Sequence, residues 1–376
     1  LHNVKMAALP QYPNEFVSYT HLQYHQPKCI VAKIHKYTEN IISSRNRINL
    51  NMKTFNRIFF FIGIAALLVS CSKDEYENTY HFSSDRIGVC SWSWKSDMNT
   101  ILNAMETMGI TGIQLATTPW VAGDLSNAQK EIFGYEESSD VLDRIKQLSK
   151  TGKLNIMSAM ICFPHEDYTS LQTIWNTSGF MFTEDGLGHS ADEEWMTNRS
   201  LVSAAAKLAS ELNIPYLSTE VGFVNKDWNL ALERVKDACD ICSTEGVTFL
   251  IESGQESGTE MKKFLEDLEK KYPETKIGVN FDPANHILYD TDTPNNAFDI
   301  LQPWIKQVHV KDCLLDASRR KSWSEDIVWG TGDVSGKFDF LQHVYDSGYK
   351  GNLLVEHESG DNRVADIEVA LKALLK

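Results

Sequence analysis

The chain has 376 residues, of which 42% are hydrophobic and 23% are charged, and its formal net charge is -15. This globular composition suffices for one large domain or two small ones, and it excludes a disordered, collagenous or disulfide-scaffold protein. Residues 1–71 contain eight basic and two acidic residues, which leaves 28 basic and 49 acidic residues and a formal charge of about -21 for the remainder. So acidic a surface repels a phosphate backbone, which disfavours nucleic-acid binding.

The first predicted element along the chain is a processing segment. A basic start at Met52 leads into Ile58–Val69, an apolar run of about a dozen residues. A helix needs roughly 20 residues to cross a bilayer core of about 30 Å, so this run predicts a secretory signal rather than a membrane span. The run ends in Leu68-Val69-Ser70-Cys71, which resembles the bacterial lipobox.

That resemblance implies that Cys71 is lipidated and becomes the mature N-terminus. Residues 52–71 would then be a lipoprotein signal peptide and residues 72–85 a polar tether. Residues 1–51 would be an upstream extension that arises from a misplaced gene start, with translation beginning at Met52. We therefore expect an exported protein that is lipid-anchored to the bacterial cell envelope, on the periplasmic or surface side of the outer membrane, and contacts the membrane only through that anchor.

The remaining cysteines predict buried thiols rather than disulfide bonds. Of seven cysteines, five follow Cys71, and these five lie in apolar stretches. Cys239 and Cys242 form a C-x-x-C pair within a helical pattern, so we expect them to pack in the core rather than to serve a redox or metal role.

From Arg86 onward, short β-rich runs alternate with amphipathic segments. The predicted strands are Ile87–Trp92, Gly112–Thr117, Leu154–Cys162, Tyr216–Glu220, Thr248–Glu252, Ile277–Asp282, Ile305–Lys311 and Asn352–Glu356. The predicted helices are Asn99–Met108, Val141–Lys150, Glu193–Leu212, Leu230–Glu245, Thr259–Lys271, Ala297–Leu301, Phe338–Ser347 and Val364–Leu375.

This alternation over residues 86–376 matches the size and order of an α/β fold, the (β/α)8 TIM barrel, as a single domain. A doubly wound sheet is the competing architecture, but the glycine fingerprint that it usually carries after the first strand is absent. Residues 163–192 are predicted to be a long irregular insertion after the third strand, where loops often carry function.

The strongest chemical signal is the residue that ends each of the last four strands. These apolar runs end in Glu252, Asp282, His309 and Glu356. A single carboxylate at a strand end more often bonds a loop. Because the C-terminal ends of barrel strands face the active site and these strands are adjacent, we expect the four side chains to converge on one half of the mouth.

Three carboxylates cannot share a half-buried site without a compensating charge, because repulsion and desolvation would protonate some of them. One divalent metal supplies that charge. Ligation by three carboxylates and one imidazole suits Mn, Mg, Co or Zn, and it leaves positions open for substrate oxygens.

The motifs around these residues resemble the xylose-isomerase-like TIM barrel superfamily, which includes sugar phosphate isomerases and epimerases. The similarity covers roughly Ile87 to Lys376 and is sharpest after Thr248. It rests on Phe281-Asp282-Pro283-Ala284-Asn285, Val308-His309-Val310-Lys311-Asp312, Gly330-Thr331-Gly332-Asp333 and Gly348-Tyr349-Lys350-Gly351.

The resemblance implies that Glu252, Asp282, His309 and Glu356 hold one divalent metal, and that Glu252 and Glu356 are the catalytic acid and base. It implies a sugar isomerase or epimerase that abstracts a proton next to a carbonyl and forms an enediolate. One alternative is elimination by the same metal and glutamates, as in a 3-keto-glycoside lyase or an inosose-type dehydratase. Another is a non-catalytic carbohydrate-binding lipoprotein. The endonuclease branch is disfavoured, because it needs three zinc ions and the first two strands supply no His.

Further residues near the strand ends are candidate substrate contacts: Trp92, His165, Glu220, His286 and Lys311. The ordinary alternatives are core packing for the Trp, a loop role for His165 and support of a ligand for Glu220. The expected partner is a small-molecule sugar or keto-sugar, with or without a phosphate, and the oligomeric state stays open.

Leu315 departs from the sequence pattern of the family that this chain resembles. Sugar epimerases of this type usually have an Arg six residues after the metal His, where this chain has Leu315. The candidates to replace that Arg are Arg319, Arg320 and Lys311.

Overall fold

The computed structural model describes residues 80–133, 138–183 and 188–375. The predicted upstream extension, the signal peptide with Cys71 and the tether up to residue 79 lie outside the described residues. The end of the predicted tether is not a free segment. Tyr80 and Phe82 are buried, their rings lie 5.3 Å apart, and Phe82 packs edge-on against Tyr345 at 5.8 Å. These two aromatic side chains bury apolar area against the barrel, which a purely polar tether would not do.

Eight parallel strands close into a barrel in the order β1-β10-β7-β6-β5-β4-β3-β2. Its strands are β1 Ile87–Cys90, β2 Gly112–Ala116, β3 Asn155–Met160, β4 Tyr216–Thr219, β5 Thr248–Glu252, β6 Ile277–Phe281, β7 Ile305–Val310 and β10 Asn352–Val355. Two short strands, β8 Asp312–Cys313 and β9 Asp326–Ile327, form an antiparallel hairpin after β7. The predicted (β/α)8 barrel is confirmed, although most of its strands end one or two residues earlier than predicted.

Helices follow the strands around the barrel. They are Met98–Met108, Thr118–Val121, Asn127–Phe133, Ser139–Lys150, Leu171–Thr177, Ala191–Glu211, Trp228–Thr244, Gly258–Lys271, Pro283–Leu288, Pro294–Leu301, Phe340–Asp346 and Arg363–Leu374. All eight predicted helices are present. The region predicted as an irregular insertion contains the helix Leu171–Thr177, which begins at a Ser170 cap with reciprocal bonds to Thr173. A polar sequence with so short an apolar face carries little helical period, which explains why the pattern missed it.

Local signals fix the ends of the longer helices. Ser190 and Glu193 form a capping box before Ala191–Glu211, and Ser257 and Glu260 form another before Gly258–Lys271. Gly109, at φ 70°, ends the first long helix in a left-handed conformation. Within the described ranges, no helix combines the length and the apolar character that a membrane span requires.

The core lies between the barrel and its helices, and it includes the predicted thiols. Phe249, Phe264, Phe281 and Phe298 are fully buried there. The five described cysteines are buried and free, as predicted from their apolar surroundings: Cys90, Cys162, Cys239, Cys242 and Cys313.

Candidate active site

Glu252, Asp282, His309 and Glu356 form one buried cluster at the C-terminal ends of four adjacent strands. Their ligand-type atoms all lie within 4.8 Å of one another. His309 Nδ1 lies 3.0 Å from Glu356 Oε2, 3.6 Å from Asp282 Oδ2 and 3.8 Å from Glu252 Oε1. The structure therefore brings together all four predicted ligands.

Strand register explains why these side chains meet. Glu252 lies opposite Asn280, two residues before Asp282, and Leu354, two residues before Glu356, lies opposite His309. Because residues two apart on a strand point to the same face, the four side chains reach the barrel mouth on one side of its interior.

One atom of each of three cluster residues is left without a hydrogen-bond partner. These buried atoms are Asp282 Oδ2, His309 Nδ1 and Glu356 Oε2. The other oxygen of Asp282 caps the helix Pro283–Leu288, because Oδ1 accepts hydrogen bonds from the backbone N–H groups of Ala284 at 2.8 Å and Asn285 at 3.0 Å. Their nearest polar neighbours are the ion-pair contacts within the cluster and with Lys311, and all three lie within 4.8 Å of one another and of a Glu252 carboxyl oxygen. The donor set therefore fits a divalent cation.

The two glutamates have different surroundings. Glu252 accepts hydrogen bonds from two neutral amides, Asn280 Nδ2 at 3.0 Å and Asn285 Nδ2 at 3.2 Å. Glu356 instead accepts a hydrogen bond from Trp92 Nε1 at 2.9 Å on Oε1, and its Oε2 lies 3.0 Å from the Lys311 ammonium. Burial raises the pKa of Glu252 to about 8. Of the two carboxyls, Glu356 is the one that lies against the Lys311 ammonium.

Lys311 supplies positive charge to the cluster. Its Nζ lies 2.7 Å from Glu358, 3.0 Å from Glu356 and 3.4 Å from Asp282. Burial opposes the charged form, but these carboxylates raise the pKa of Lys311 well above its ordinary value. Burial alone would raise the pKa of Asp282; Lys311 and His309 overcome that effect and lower it.

A cavity of about 670 Å³ opens above the cluster. Four of the five predicted substrate contacts line it: Trp92, His165, Glu220 and Lys311. His165 Nδ1 lies 2.8 Å from Glu194 Oε2, so that ring is held in its loop. Glu220 accepts hydrogen bonds from Gln255 and Tyr289 at 3.0 and 3.3 Å, and burial, followed by the charges of Glu252 and Glu166, raises its pKa well above the ordinary value.

His286 does not line the cavity, which corrects its prediction as a substrate contact. Its ring is fully buried, with Nε2 3.2 Å from Ser253 Oγ and Nδ1 3.4 Å from Thr291 Oγ1. The preceding residue, Asn285, lines the cavity instead and donates to Glu252. Consecutive helical residues point about 100° apart, so Asn285 and His286 face different surroundings.

The arginines considered as replacements at Leu315 present no cation to the cavity. Arg319 is exposed and does not line it. The Arg320 guanidinium donates to the backbone carbonyls of Leu314, Leu315 and Trp323. Arg363 does line the cavity, but it too donates to backbone carbonyls, among them that of Gly360 at 2.9 Å.

Aromatic side chains form another part of the wall, which the sequence pattern did not reveal. Tyr168, Tyr289 and Trp323 line the cavity, and the Tyr289 and Trp323 rings lie 5.4 Å apart. Trp323 Nε1 donates to the Tyr168 carbonyl at 2.9 Å, joining the loop between β8 and β9 to the loop after β3. Aromatic faces beside carboxylates suit the apolar and hydroxylated faces of a sugar.

Residues 102–376 match the family model described as xylose isomerase-like TIM barrel, and the chain belongs to that family. The cluster of three carboxyl groups and one imidazole at the mouth of a closed barrel agrees with what the family resemblance led us to expect. No curated protein is similar enough in sequence to count as a relative.

Solved structures share this fold. A xylose isomerase domain protein from Planctomyces limnophilus is 22% identical, with a TM-score of 0.60 over 77% of this chain and 94% of that chain. A probable 3-DHS dehydratase from Bacillus anthracis is 16% identical, with a TM-score of 0.51 over 77% and 99%. A D-psicose 3-epimerase from Clostridium cellulolyticum H10, solved with D-tagatose, is 13% identical, with a TM-score of 0.50 over 76% and 89%. At these identities the likeness concerns the fold.

Proposed function

We propose that this protein is a divalent-metal-dependent sugar isomerase or epimerase that abstracts a proton next to a carbonyl group. The observation that carries the proposal is a set of three buried atoms that make no hydrogen bond, Asp282 Oδ2, His309 Nδ1 and Glu356 Oε2, which converge beside Glu252 at the barrel mouth. A binding module has no need for a buried acid and base next to a cation site, so this arrangement favours an enzyme over a carbohydrate-binding protein.

Each residue of the cluster has a definable task. Glu252, Asp282, His309 and Glu356 would hold the cation, which would supply a Lewis acid for the substrate carbonyl and its neighbouring hydroxyl. One glutamate removes the proton from the carbon next to the carbonyl, and the other returns a proton. Asn285 and Trp92 orient the two carboxylates through the hydrogen bonds described above. Lys311 places a buried positive charge where negative charge develops on the substrate.

The cavity favours an unphosphorylated sugar. Lys311 is paired with three carboxylates, and Arg363 donates to backbone carbonyls. Glu358, which pairs with Lys311, also lines the wall and would repel a phosphate. Among the described lining residues, only Lys95 offers a lysine or arginine charge without such partners, and its side chain is exposed. A phosphate is normally held by several charge-assisted hydrogen bonds.

Glu220 supports elimination as a second candidate reaction. It lines the same cavity as the two cluster glutamates, and burial raises its pKa well above the ordinary value. A protonated carboxyl there could give its proton to a departing hydroxyl or glycosidic oxygen after the carbanion has formed. The reaction would then be that of a 3-keto-glycoside lyase or a sugar dehydratase.

Hydrogen exchange tests the proposal. The protein is stripped with a chelator, reloaded with Mn²⁺, Mg²⁺, Co²⁺ or Zn²⁺, and incubated in D₂O with ketohexoses, ketopentoses and 3-keto-glycosides. Metal-dependent incorporation of deuterium next to the carbonyl is expected, and NMR of the products separates epimerisation from elimination. Absence of metal-dependent exchange across the panel, or undiminished exchange in Glu356→Gln, would overturn the enzymatic proposal.

We also propose that the protein works outside the cytoplasm as a lipid-anchored enzyme. The support is the apolar run followed by Leu68-Val69-Ser70-Cys71 in the sequence. In cells fed an alkyne-tagged fatty acid, the native protein should carry the tag and Cys71→Ala should not. Equal labelling of both proteins would contradict the anchor.

A further inference from the structure

A polar side chain spans the interior of the barrel beneath the cluster. Gln114 lies on β2 and is fully buried. Its Nε2 donates to Ser218 Oγ on β4 at 2.8 Å, and its Oε1 lies 2.9 Å from His309 Nε2 on β7. Strands β10 and β1 separate β7 from β2 around the barrel, so this contact crosses the interior rather than joining neighbouring strands.

The directions of the hydrogen bonds that link Ser218, Gln114 and His309 follow from the contact at Ser218. The Ser218 hydroxyl donates to the carbonyl of Ala159 at 3.3 Å, so its oxygen is available to accept from the Gln114 amide nitrogen. With the nitrogen on that side, the Gln114 carbonyl oxygen faces His309. A carbonyl oxygen only accepts, and this one also accepts from the Cys90 thiol at 3.4 Å, so a hydrogen bond between Gln114 Oε1 and His309 requires a hydrogen on His309 Nε2.

We propose that Gln114 is a positioning residue that keeps a hydrogen on His309 Nε2 and thereby directs the Nδ1 lone pair toward the carboxylates of the cluster. The inference rests on the proposed function of that cluster as a cation site. Histidine ligands commonly donate their second N–H to an acceptor, which fixes the ring orientation and the ligating atom. Here the acceptor is a neutral amide from the opposite side of the barrel.

A competing arrangement exists and makes the proposal testable. Asn280 Nδ2 lies 3.1 Å from the same His309 Nε2 atom, and it also donates to Glu252 Oε2 at 3.0 Å. If Asn280 donated to Nε2, the hydrogen of a neutral ring would sit on Nδ1, the atom that faces the carboxylates. Gln114 Oε1 would then face a lone pair at 2.9 Å, which is repulsive.

Metal titration of variants separates positioning from packing. Gln114→Leu removes the acceptor at similar size, whereas Gln114→Glu keeps an acceptor, and the Ser218 hydroxyl can turn to donate to it. Gln307→Leu is the matched control, because Gln307 is also fully buried in the barrel interior but donates to Asn280 Oδ1 at 3.0 Å. Calorimetric titration with Mn²⁺ should give a Kd that rises by about 10- to 100-fold in Gln114→Leu and stays near the wild-type value in the other two.

A wild-type Kd in Gln114→Leu, or equal losses in Gln114→Leu and Gln307→Leu, would overturn the positioning role while leaving the proposed cation site intact. No Mn²⁺ binding by the wild-type protein would overturn both. A measurement on the unaltered sequence covers the case in which Gln114→Leu does not fold. Long-range ¹H–¹⁵N NMR of ¹⁵N-histidine-labelled, Zn²⁺-loaded protein should show the His309 hydrogen on Nε2, and a hydrogen on Nδ1 would refute the proposal.

Discussion

The two sides of the barrel mouth are built from different kinds of residue. On the side of β5, β6, β7 and β10, strand ends present three carboxylates and an imidazole that are at most 9% exposed. On the side of β1 to β4, the contacts to that cluster are neutral: the Trp92 indole and the Gln114 amide reach across to Glu356 and His309. The first side carries the ionisable groups of the proposed cation site, and the second side makes hydrogen bonds to them.

This division separates chemistry from positioning. Charged ligands gain from lying on rigid strand ends, where a displacement of a fraction of an ångström is resisted by the barrel hydrogen bonds. On the opposite side, a neutral donor (the Trp92 indole) and a neutral acceptor (the Gln114 carbonyl oxygen) can hold those side chains without adding charge to the cluster. Substitutions on the two sides should therefore have effects of different size, and they should change different measured quantities.

The largest effect is expected for Glu252 and Glu356. Glu252→Gln removes a proton acceptor at nearly the same size, so exchange of the substrate C–H should fall by about 10³-fold or more while the far-UV CD spectrum stays unchanged. Glu220→Gln, on the opposite side, should reduce exchange by about tenfold at most. Equal losses of exchange in Glu252→Gln and Glu220→Gln would contradict the proposed difference between the two sides of the mouth.

Removal of the indole hydrogen bond to Glu356 should have an intermediate effect. Trp92→Phe loses the donor at 2.9 Å, and a hydrogen bond to a charged group is worth about 1.5–3 kcal/mol, so kcat should fall by about 10- to 100-fold. Trp94→Phe is the control, because the buried Trp94 Nε1 has no hydrogen-bond partner. A loss of the same size in Trp94→Phe would mean that packing, not the hydrogen bond, is responsible.

Metal affinity should rise with pH, because protons must leave the charged side of the mouth. Burial raises the pKa of Glu252 to about 8. For His309, burial acts to lower the pKa, but Glu356, Cys90 and Glu252 outweigh it and the pKa is raised. Glu252 therefore holds a proton at neutral pH, and displacing that proton should raise the Mn²⁺ binding constant by about tenfold per pH unit. Calorimetric titration with Mn²⁺ between pH 6 and 7 measures this pH dependence, and a binding constant that does not change with pH would contradict the prediction.

The smallest effect on exchange is expected behind the cluster, where His357 Nδ1 lies 2.7 Å from Asp326 Oδ2. Burial lowers the pKa of His357, but Asp326 outweighs it and the net shift is upward. A raised folded-state pKa stabilises the protein at low pH, and this stability is lost as the pH rises through that pKa. Asp326→Asn should therefore lower the free energy of unfolding by about 1–3 kcal/mol at pH 6 and by less at pH 9.

Denaturant unfolding of Asp299→Asn supplies the control for that pair. Asp299 lies 2.7 Å from His343, but both side chains are partly exposed, so its loss should change stability by about 0.5 kcal/mol or less. A larger loss of unfolding free energy in Asp299→Asn than in Asp326→Asn would contradict the claim that the buried His357–Asp326 pair is the more stabilising one.

The sequence was sufficient to predict the strands and the cluster, because both depend on local pattern. Short apolar runs between turn signals mark barrel strands, and a charged residue at the end of such a run must emerge at the mouth. The helices after them were predicted for the same reason, since amphipathic stretches and glycine ends are local features.

Contacts across the barrel could not be predicted in this way. Trp92 and Glu356 are 264 residues apart, and Gln114 and His309 are 195 residues apart, so no local spacing relates them. A polar residue at an inward strand position resembles an ordinary exposed residue until its partner is known. Whether Asn285 or His286 faces the cavity depends on the rotation of the short helix Pro283–Leu288, which the local sequence does not reveal.

The most direct test of the cation site is anomalous diffraction from crystals soaked in Mn²⁺. We predict one strong peak about 2.0–2.3 Å from Glu252, Asp282 Oδ2, His309 Nδ1 and Glu356 Oε2, with Gln114 Oε1 still bonded to His309 Nε2. Absence of a peak at saturating Mn²⁺, or a peak bonded to His309 Nε2 instead of Nδ1, would contradict the proposed metal centre.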